Sequence, residues 1–185
     1  MIFMETKLKG AYVIELERVT DERGFFARRW CAKEFSSHGL SPAIVQANIG
    51  HSTKRGTVRG MHFQTAPFAE VKVVYCSRGA LYDVIVDLRD GSPTKGQWIC
   101  AELTADNGRM LYVPEGFAHG YQTLEDETDL VYQTSQVYAK EAAKGVRYND
   151  PAFGITWPLP VSIVSSGDIN WPDYQWEMSG GHEHI

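Results

Sequence analysis

Two stretches, GTVRGMHFQ at residues 56–64 and PEGFAHG at residues 114–120, decide how this chain is read. Each joins a glycine-containing turn to a β-type run, and each carries one histidine, His62 and His119. Segments of this kind bring two imidazoles into the mouth of a small β-barrel. What must be decided is whether the two rings hold a metal ion or move protons.

Outward from these stretches the chain is dominated by short runs of β-branched and aromatic residues. They are AYVIEL (11–16), VKVVYC (71–76), ALYDVIVDL (80–88), WICAEL (98–103), RMLYV (109–113) and LVYQTSQV (130–137). Turn signals such as Asp90-Gly91-Ser92-Pro93 and Asp106-Asn107-Gly108 separate them. A repeat of about 10–15 residues between strand and turn predicts an antiparallel sandwich or barrel. Helical signal is thin: CAKEFSSH (31–38), stopped by Gly39, predicts one short helix, and Lys140–Lys144 one turn. The expected fold is all-β with short peripheral helices.

With 185 residues, 43% of them hydrophobic and 22% charged, the chain is expected to form one domain over 1–185. Its core should run from about 6 to 172, with a loose tail from 178 that contains His182 and His184. A net charge of −5 argues against a nucleic-acid binder, although a few Arg and Lys could still make a local pocket for a phosphorylated small molecule. No apolar run is long enough for a membrane span. Cys31, Cys76 and Cys100 are odd in number and widely spaced, so they suggest buried small hydrophobes in a reducing cytoplasm rather than disulfides.

Pro114-x-Gly116-x-x-His119 is similar to the second half of the cupin signature, and Gly56 followed by His62 to the start of its first half. A metal-binding cupin would place a second histidine two positions on, where this chain has Gln64, and the next acid, Glu70, is slightly too far. Two histidines with weak partners fall short of the three or four good ligands that a stable first-row metal site needs. No metal and no cofactor is therefore expected. Acid–base chemistry suits an imidazole, whose pKa of about 6.5 lets it take a proton at neutral pH. A carboxylate on its other nitrogen would strengthen it. Asp83, Asp87, Asp150 and Asp168 are all candidates, and sequence alone does not choose among them.

Longer blocks carry a more specific resemblance. They include DERGFFARRW (21–30), QANIGHSTKRGTVRGMHFQ (46–64), EVKVV (70–74), GALYDVIVDLRDGSPTKGQW (79–98), LYVPEGFAHGYQTL (111–124), YQTSQVY (132–138), RYNDPAFGITWP (147–158) and SSGD (165–168). In this order they identify the chain as similar to the dTDP-4-dehydrorhamnose 3,5-epimerase family. The resemblance implies a metal-free jelly roll and a homodimer that exchanges strands. It also implies a nucleotide-diphosphate-linked 4-keto-6-deoxyhexose as substrate and a cytoplasmic location. By position it makes His62 the base and Asp168 the carboxylate that orients it. Lys72 becomes the cation that stabilises an enolate, and Tyr132 the proton donor on the opposite face. Arg59, His119, Gln46 and Asn48 become substrate-binding residues. Arg23 and Phe26 would reach across the dimer to the partner's nucleotide, and Tyr138 would stack on the base.

Three positions depart from the family pattern: Arg28 replaces an acid, Ala143 a glutamate and Gly167 a lysine. All three are expected near the nucleotide. Cytosine N3 accepts a hydrogen bond where thymine N3 donates one, so Arg28 would suit a CDP-sugar better than a dTDP-sugar. Inversion of C3 and C5 is the leading expectation. The alternatives are inversion of one centre on a different nucleotide-sugar, such as a CDP-linked 4-keto deoxysugar, and a non-catalytic sugar-nucleotide binding module. A metal-dependent cupin oxygenase is a third, already disfavoured by Gln64.

Overall fold

The computed structural model describes residues 1–176. The expected loose tail and its His182 and His184 lie outside the described residues. The strands are β1 (Ile2–Glu5), β2 (Tyr12–Glu15), β3 (Val19–Asp21), β4 (Gly24–Phe26), β5 (Gln46–Ser52), β6 (Thr57–Gln64) and β7 (Lys72–Arg78). They continue as β8 (Ala80–Asp87), β9 (Trp98–Thr104), β10 (Met110–Val113), β11 (Phe117–Thr123), β12 (Thr128–Thr134), β13 (Ala143–Gly145) and β14 (Ile163–Val164). Two short helices, α1 (Ala32–Ser37) and α2 (Ser166–Ile169), lie at the periphery.

Two sheets face each other. The first has the order β1-β2-β10-β7-β12-β5 and the second β13-β6-β11-β8-β9, with β14 parallel to β6. The non-consecutive neighbours and the antiparallel pairing make this a jelly roll, the architecture of the cupins. The β3–β4 hairpin stands apart.

Strand β8 shows why its sequence is apolar on both alternations. Leu81 and Ile85 point between the sheets, against Val74, Leu111 and Leu130. Val84 and Val86 point the other way, under Phe153, Ile155 and Trp157. Asp83 shares the inward face and is completely buried. The outer face of the first sheet is covered by Phe35 of α1 and by Leu40, over Val73 and Tyr112.

A bulge between β6 and β11 sets up the rest. His62 pairs with His119 and Arg59 with Tyr121, so β6 has one more residue than β11 across the same span. The extra residue resets the alternation. Arg59 and His62, an odd number of positions apart, therefore both face the space between the sheets. Gly60 and Gly120 make this possible. Gly60 has φ of 127°, and a Cβ there would lie 2.5 Å from the Cα of Gly120. The backbones touch where any side chain would separate them.

Most expected strands form, with two differences. The run 130–137 ends at Thr134, because Ser135 onward leaves the sheet. The expected turn at 140–144 closes over Ala139–Ala142 through bonds from Ala142 N and Ala143 N to Ala139 O. The chain then pairs with β6 as β13, Ala143 opposite Gln64. The cysteines are unpaired as expected, but only Cys76 is buried; Cys100 is exposed and Cys31 half-buried. Cys100 lies on an edge strand, where its face is open to water.

Candidate active site

A cleft of about 470 Å³ opens between the two sheets. Arg59, His62 and His119 line it from the second sheet; Lys72, Tyr132 and Asn48 line it from the first. Gln46, Gln64 and Tyr138 complete its rim. Eight of the expected site residues therefore converge, seven of them from five strands and Tyr138 from the segment after β12, because alternate residues of each strand face inward.

His62 is about half exposed, and its Nε2 lies 2.6 Å from Oδ1 of Asp168. Asp168 comes from α2, in the last part of the chain, and is buried. Gly60 N donates to its Oδ2 at 3.3 Å, and the Ser165 hydroxyl caps the helix by accepting from Asp168 N. Burial raises the Asp168 carboxyl, but His62, Gly60 N–H and Ser165 outweigh it and hold it below the ordinary carboxylate value. An ionised carboxylate can only accept. Nε2 of His62 therefore carries a proton, and in the neutral ring the lone pair is on Nδ1.

The second histidine has a carboxylate of its own. His119 Nε2 lies 2.8 Å from Oδ1 of Asp83, and both side chains are buried. Burial pushes the Asp83 carboxyl up, against the opposing pull of His119 and Lys72. The four candidate carboxylates thus separate. Asp168 serves His62 and Asp83 serves His119. Asp87 takes bonds from Arg89, Ser92 and Thr94, and Asp150 from Ala152 N and Tyr174 N.

Lys72 is buried. Its Nζ lies 3.0 Å from Oε1 of Glu70 and 3.4 Å from the His62 carbonyl. Burial raises the Tyr132 phenol, with Glu70 adding to the effect and Arg59 opposing it, so the hydroxyl stays protonated at neutral pH. Arg59 is braced from behind: Nε donates to Ser52 Oγ at 3.2 Å and Nη2 to His51 O at 2.8 Å. Gln46 Nε2 donates to Asn48 Oδ1 at 3.1 Å, while Asn48 Nδ2 is buried with no partner among the described residues. Gln64, at the position where a cupin metal ligand was considered, spends its amide on Phe68 O, Val137 O and Ala139 N.

Three expected binding residues do not reach this cleft. Arg23 and Phe26 stand on the exposed β3–β4 hairpin, and Arg23 pairs with Asp21. Arg28 pairs with Glu34 of α1 at 2.9 Å. Of the three departures expected to cluster, only Ala143 lines the cleft. Sequence reading missed Asp83 as the partner of His119, Glu70 as the partner of Lys72, and Trp171 in the cleft wall. An aspartate inside the apolar run ALYDVIVDL was a usable signal for the first, since charge is rarely buried unpaired. Trp171 gave no signal, because the tail around it is irregular.

A half-exposed imidazole backed by a carboxylate, a buried cation and a protonated phenol share one cavity. Comparison with known proteins gives the family. Residues 5–175 match the family model described as dTDP-4-dehydrorhamnose 3,5-epimerase. The enzyme of that name from Sinorhizobium fredii (strain NBRC 101917 / NGR234) is 42% identical over 173 residues, covering 93% of this chain and 89% of its own length. The crystal structure of the Elizabethkingia anophelis NUHP1 enzyme is similar with a TM-score of 0.91 at 38% identity, covering 94% of this chain and 96% of that one. The Bacillus anthracis str. Ames enzyme, solved with TDP and PPi bound, has a TM-score of 0.90 at 40% identity, covering 94% of this chain and 99% of that one. The chain belongs to the dTDP-4-dehydrorhamnose 3,5-epimerase family and is an isomerase of that type.

Proposed function

We propose that the cleft epimerises a dTDP-linked 4-keto-6-deoxyhexose at C3 and C5, with His62 as base and Tyr132 as acid. One observation carries the assignment: the two groups stand on facing sheets, so a sugar ring between them presents one face to each. The C4 ketone acidifies the hydrogens on its neighbours. His62 Nδ1 takes one, the C–H electrons move onto the C4 oxygen, and an enolate forms. Lys72 supplies the positive charge for that oxygen, and a fixed charge at a developing oxyanion is often the largest catalytic contribution. Tyr132 then returns a proton to the carbon from the other side, and the enolate collapses to the inverted ketone. Asp168 keeps His62 in the right tautomer and stabilises the imidazolium. Arg59, His119, Gln46 and Asn48 hold the substrate, and Tyr138, exposed at the rim, is available to the base. No step calls for a metal or cofactor.

Arg23 and Phe26, idle on the exposed hairpin, suit a homodimer in which they complete the partner's nucleotide site. A cytoplasmic location belongs to the same reading. Among the described residues no helix is long and apolar enough to cross a membrane.

The test is deuterium uptake from D2O into dTDP-4-keto-6-deoxyglucose, followed by NMR. Uptake at C3 and C5 is expected, with net inversion impaired in Tyr132→Phe. Absence of uptake at either carbon would overturn the assignment. The CDP-sugar alternative rested on Arg28, which is committed to Glu34 in this chain. Arg28→Glu should leave the ratio of dTDP to CDP affinities within about threefold of wild type. A larger shift toward dTDP would return Arg28 to the nucleotide site.

A further inference from the structure

Glu70 brings a carboxylate into the lining of the cleft, and the proposed reaction gives it no task. It lies two positions before Lys72. Strand alternation puts both on the inner face with Val74 and Cys76, while Val71 and Val73 face outward. Only 11% of the Glu70 side chain and 8% of the Lys72 side chain are exposed. The backbone between them is fixed: Val71 N donates to Ser135 Oγ at 2.8 Å, and Val71 O accepts from Ser135 N at 3.0 Å. Gln64 Nε2 reaches the second carboxylate oxygen at 3.4 Å.

An ammonium has three N–H donors. Lys72 directs one to Glu70 Oε1 at 3.0 Å and another to the His62 carbonyl at 3.4 Å. The third has no partner among the described residues, on a side chain that lines the cleft. A lysine head is a point charge on a flexible stem and has no direction of its own. Two anchored donors give it one and leave the third for a ligand. Pairing alone would satisfy a buried cation. Glu70 also bears on Tyr132, which is paired with Val74 of the same strand. Burial, and then the Glu70 charge, raise that phenol, while Arg59 opposes them. The other titratable groups lining the cleft around it are His62 of β6, His119 and Tyr121 of β11, and Lys72.

We propose that Glu70 is a positioning residue: its carboxylate anchors the Lys72 ammonium so that the remaining N–H is left for the C4 oxygen of the bound ketosugar. The proposal rests on the cleft being the 4-ketosugar site, with Lys72 as the cation of the enolate. It adds to that reading the reason the cation is in place before substrate arrives. A donor fixed in advance needs no reorganisation when charge develops on the oxygen.

Glu70→Ala removes the anchor. With the dTDP-4-ketosugar, kcat should fall about 10²-fold, the cost of a misplaced group, and KM should stay within about threefold, because the enolate forms only after binding. Glu70→Gln keeps an oxygen for Lys72 and removes only the charge. Its kcat at neutral pH should return to within about fivefold of wild type. The alkaline limb of its pH–rate profile should lie at lower pH, because Tyr132 loses an anion that helps hold its proton. A residue needed only for folding would lower stability in urea and leave that limb in place. Three results would each overturn the proposal: a Glu70→Ala kcat within about twofold of wild type, a loss carried by KM instead, or an alkaline limb unmoved in Glu70→Gln. Should Glu70→Ala fail to fold, Glu70→Asp takes its place, since it keeps the charge but withdraws it by one methylene. Its kcat should fall about tenfold at unchanged KM, and a wild-type kcat would overturn the proposal. Wild-type protein that exchanges no deuterium into the ketosugar would instead sink the reading of the cleft, and this proposal with it.

Discussion

The two histidines face each other across one strand pair, each with an aspartate on Nε2, yet their surroundings make them different reagents. His62 is half exposed, and its aspartate is held low and charged by three donors. His119 is buried, and its aspartate is raised by complete burial, with Oδ2 left unpartnered among the described residues. A charged carboxylate favours the imidazolium that a base becomes. A carboxylate that resists its own charge supports a neutral ring better, and a neutral ring that gives Nε2–H to Asp83 offers Nδ1 to substrate as an acceptor. The pair is the same; solvent access and donor count separate the base from the binder.

The largest expected effect comes from removing each ring in turn. His62→Ala should lower deuterium exchange about 10²–10⁴-fold, the usual worth of a positioned base. Its stability should change little, because Asp168 keeps Gly60 N–H and the remaining site is open to water. His119→Ala leaves Asp83 buried without its partner, a loss of about 3–5 kcal/mol. Its damage should therefore show first in urea unfolding. The reverse pattern, with His62→Ala unfolding and His119→Ala stable but inactive, would break the comparison.

The aspartates give the next contrast. Asp168→Asn loses the charge and lets the wrong tautomer form, so exchange should fall on the order of 10³-fold with substrate affinity largely kept. Asp83→Asn still offers an oxygen to His119, and its exchange rate should stay much nearer wild type. Equal losses in the two variants would mean that both histidines carry protons.

Much of this was legible in the sequence, and its limits were physical. The all-β character followed from strand runs and turn signals, which are local, and the jelly roll from the cupin-like motifs and the family resemblance. Likewise the glycines of RGMH and HG mark the bulge that lets Arg59 and His62 share a face. Which aspartate meets which histidine was not legible in residue type alone, because the two partners lie more than a hundred positions apart in one case and across a sheet in the other. The family resemblance placed Asp168, and the structure places Asp83 and Glu70, whose contacts depend on strand register. Register also decided what followed from Lys140–Lys144: Ala143–Gly145, which overlaps its end, could form a strand only because the edge of β6 was there to pair with. Arg28 shows the opposite failure, a substitution read as chemistry at the nucleotide that the chain spends on Glu34.

The smallest effect, and the most direct reading of the contrast, is in the pH dependence of stability. Asp83 binds its proton more tightly folded than unfolded. Its contribution is therefore greatest below the unfolded carboxylate pKa of about 3.9 and is lost as pH rises through the folded value. Asp168 is the mirror case: its contribution is present above that unfolded pKa and is lost only as pH falls through its depressed folded value. Urea unfolding of wild type, Asp83→Asn and Asp168→Asn from about pH 4 to pH 7 should separate them. Wild type should lose stability relative to Asp83→Asn as pH rises across that range. Against Asp168→Asn the wild-type advantage should hold steady over the upper range and shrink only at the acid end. Parallel curves for the two variants would mean that both aspartates feel the same environment, and burial would no longer explain why one histidine is the base.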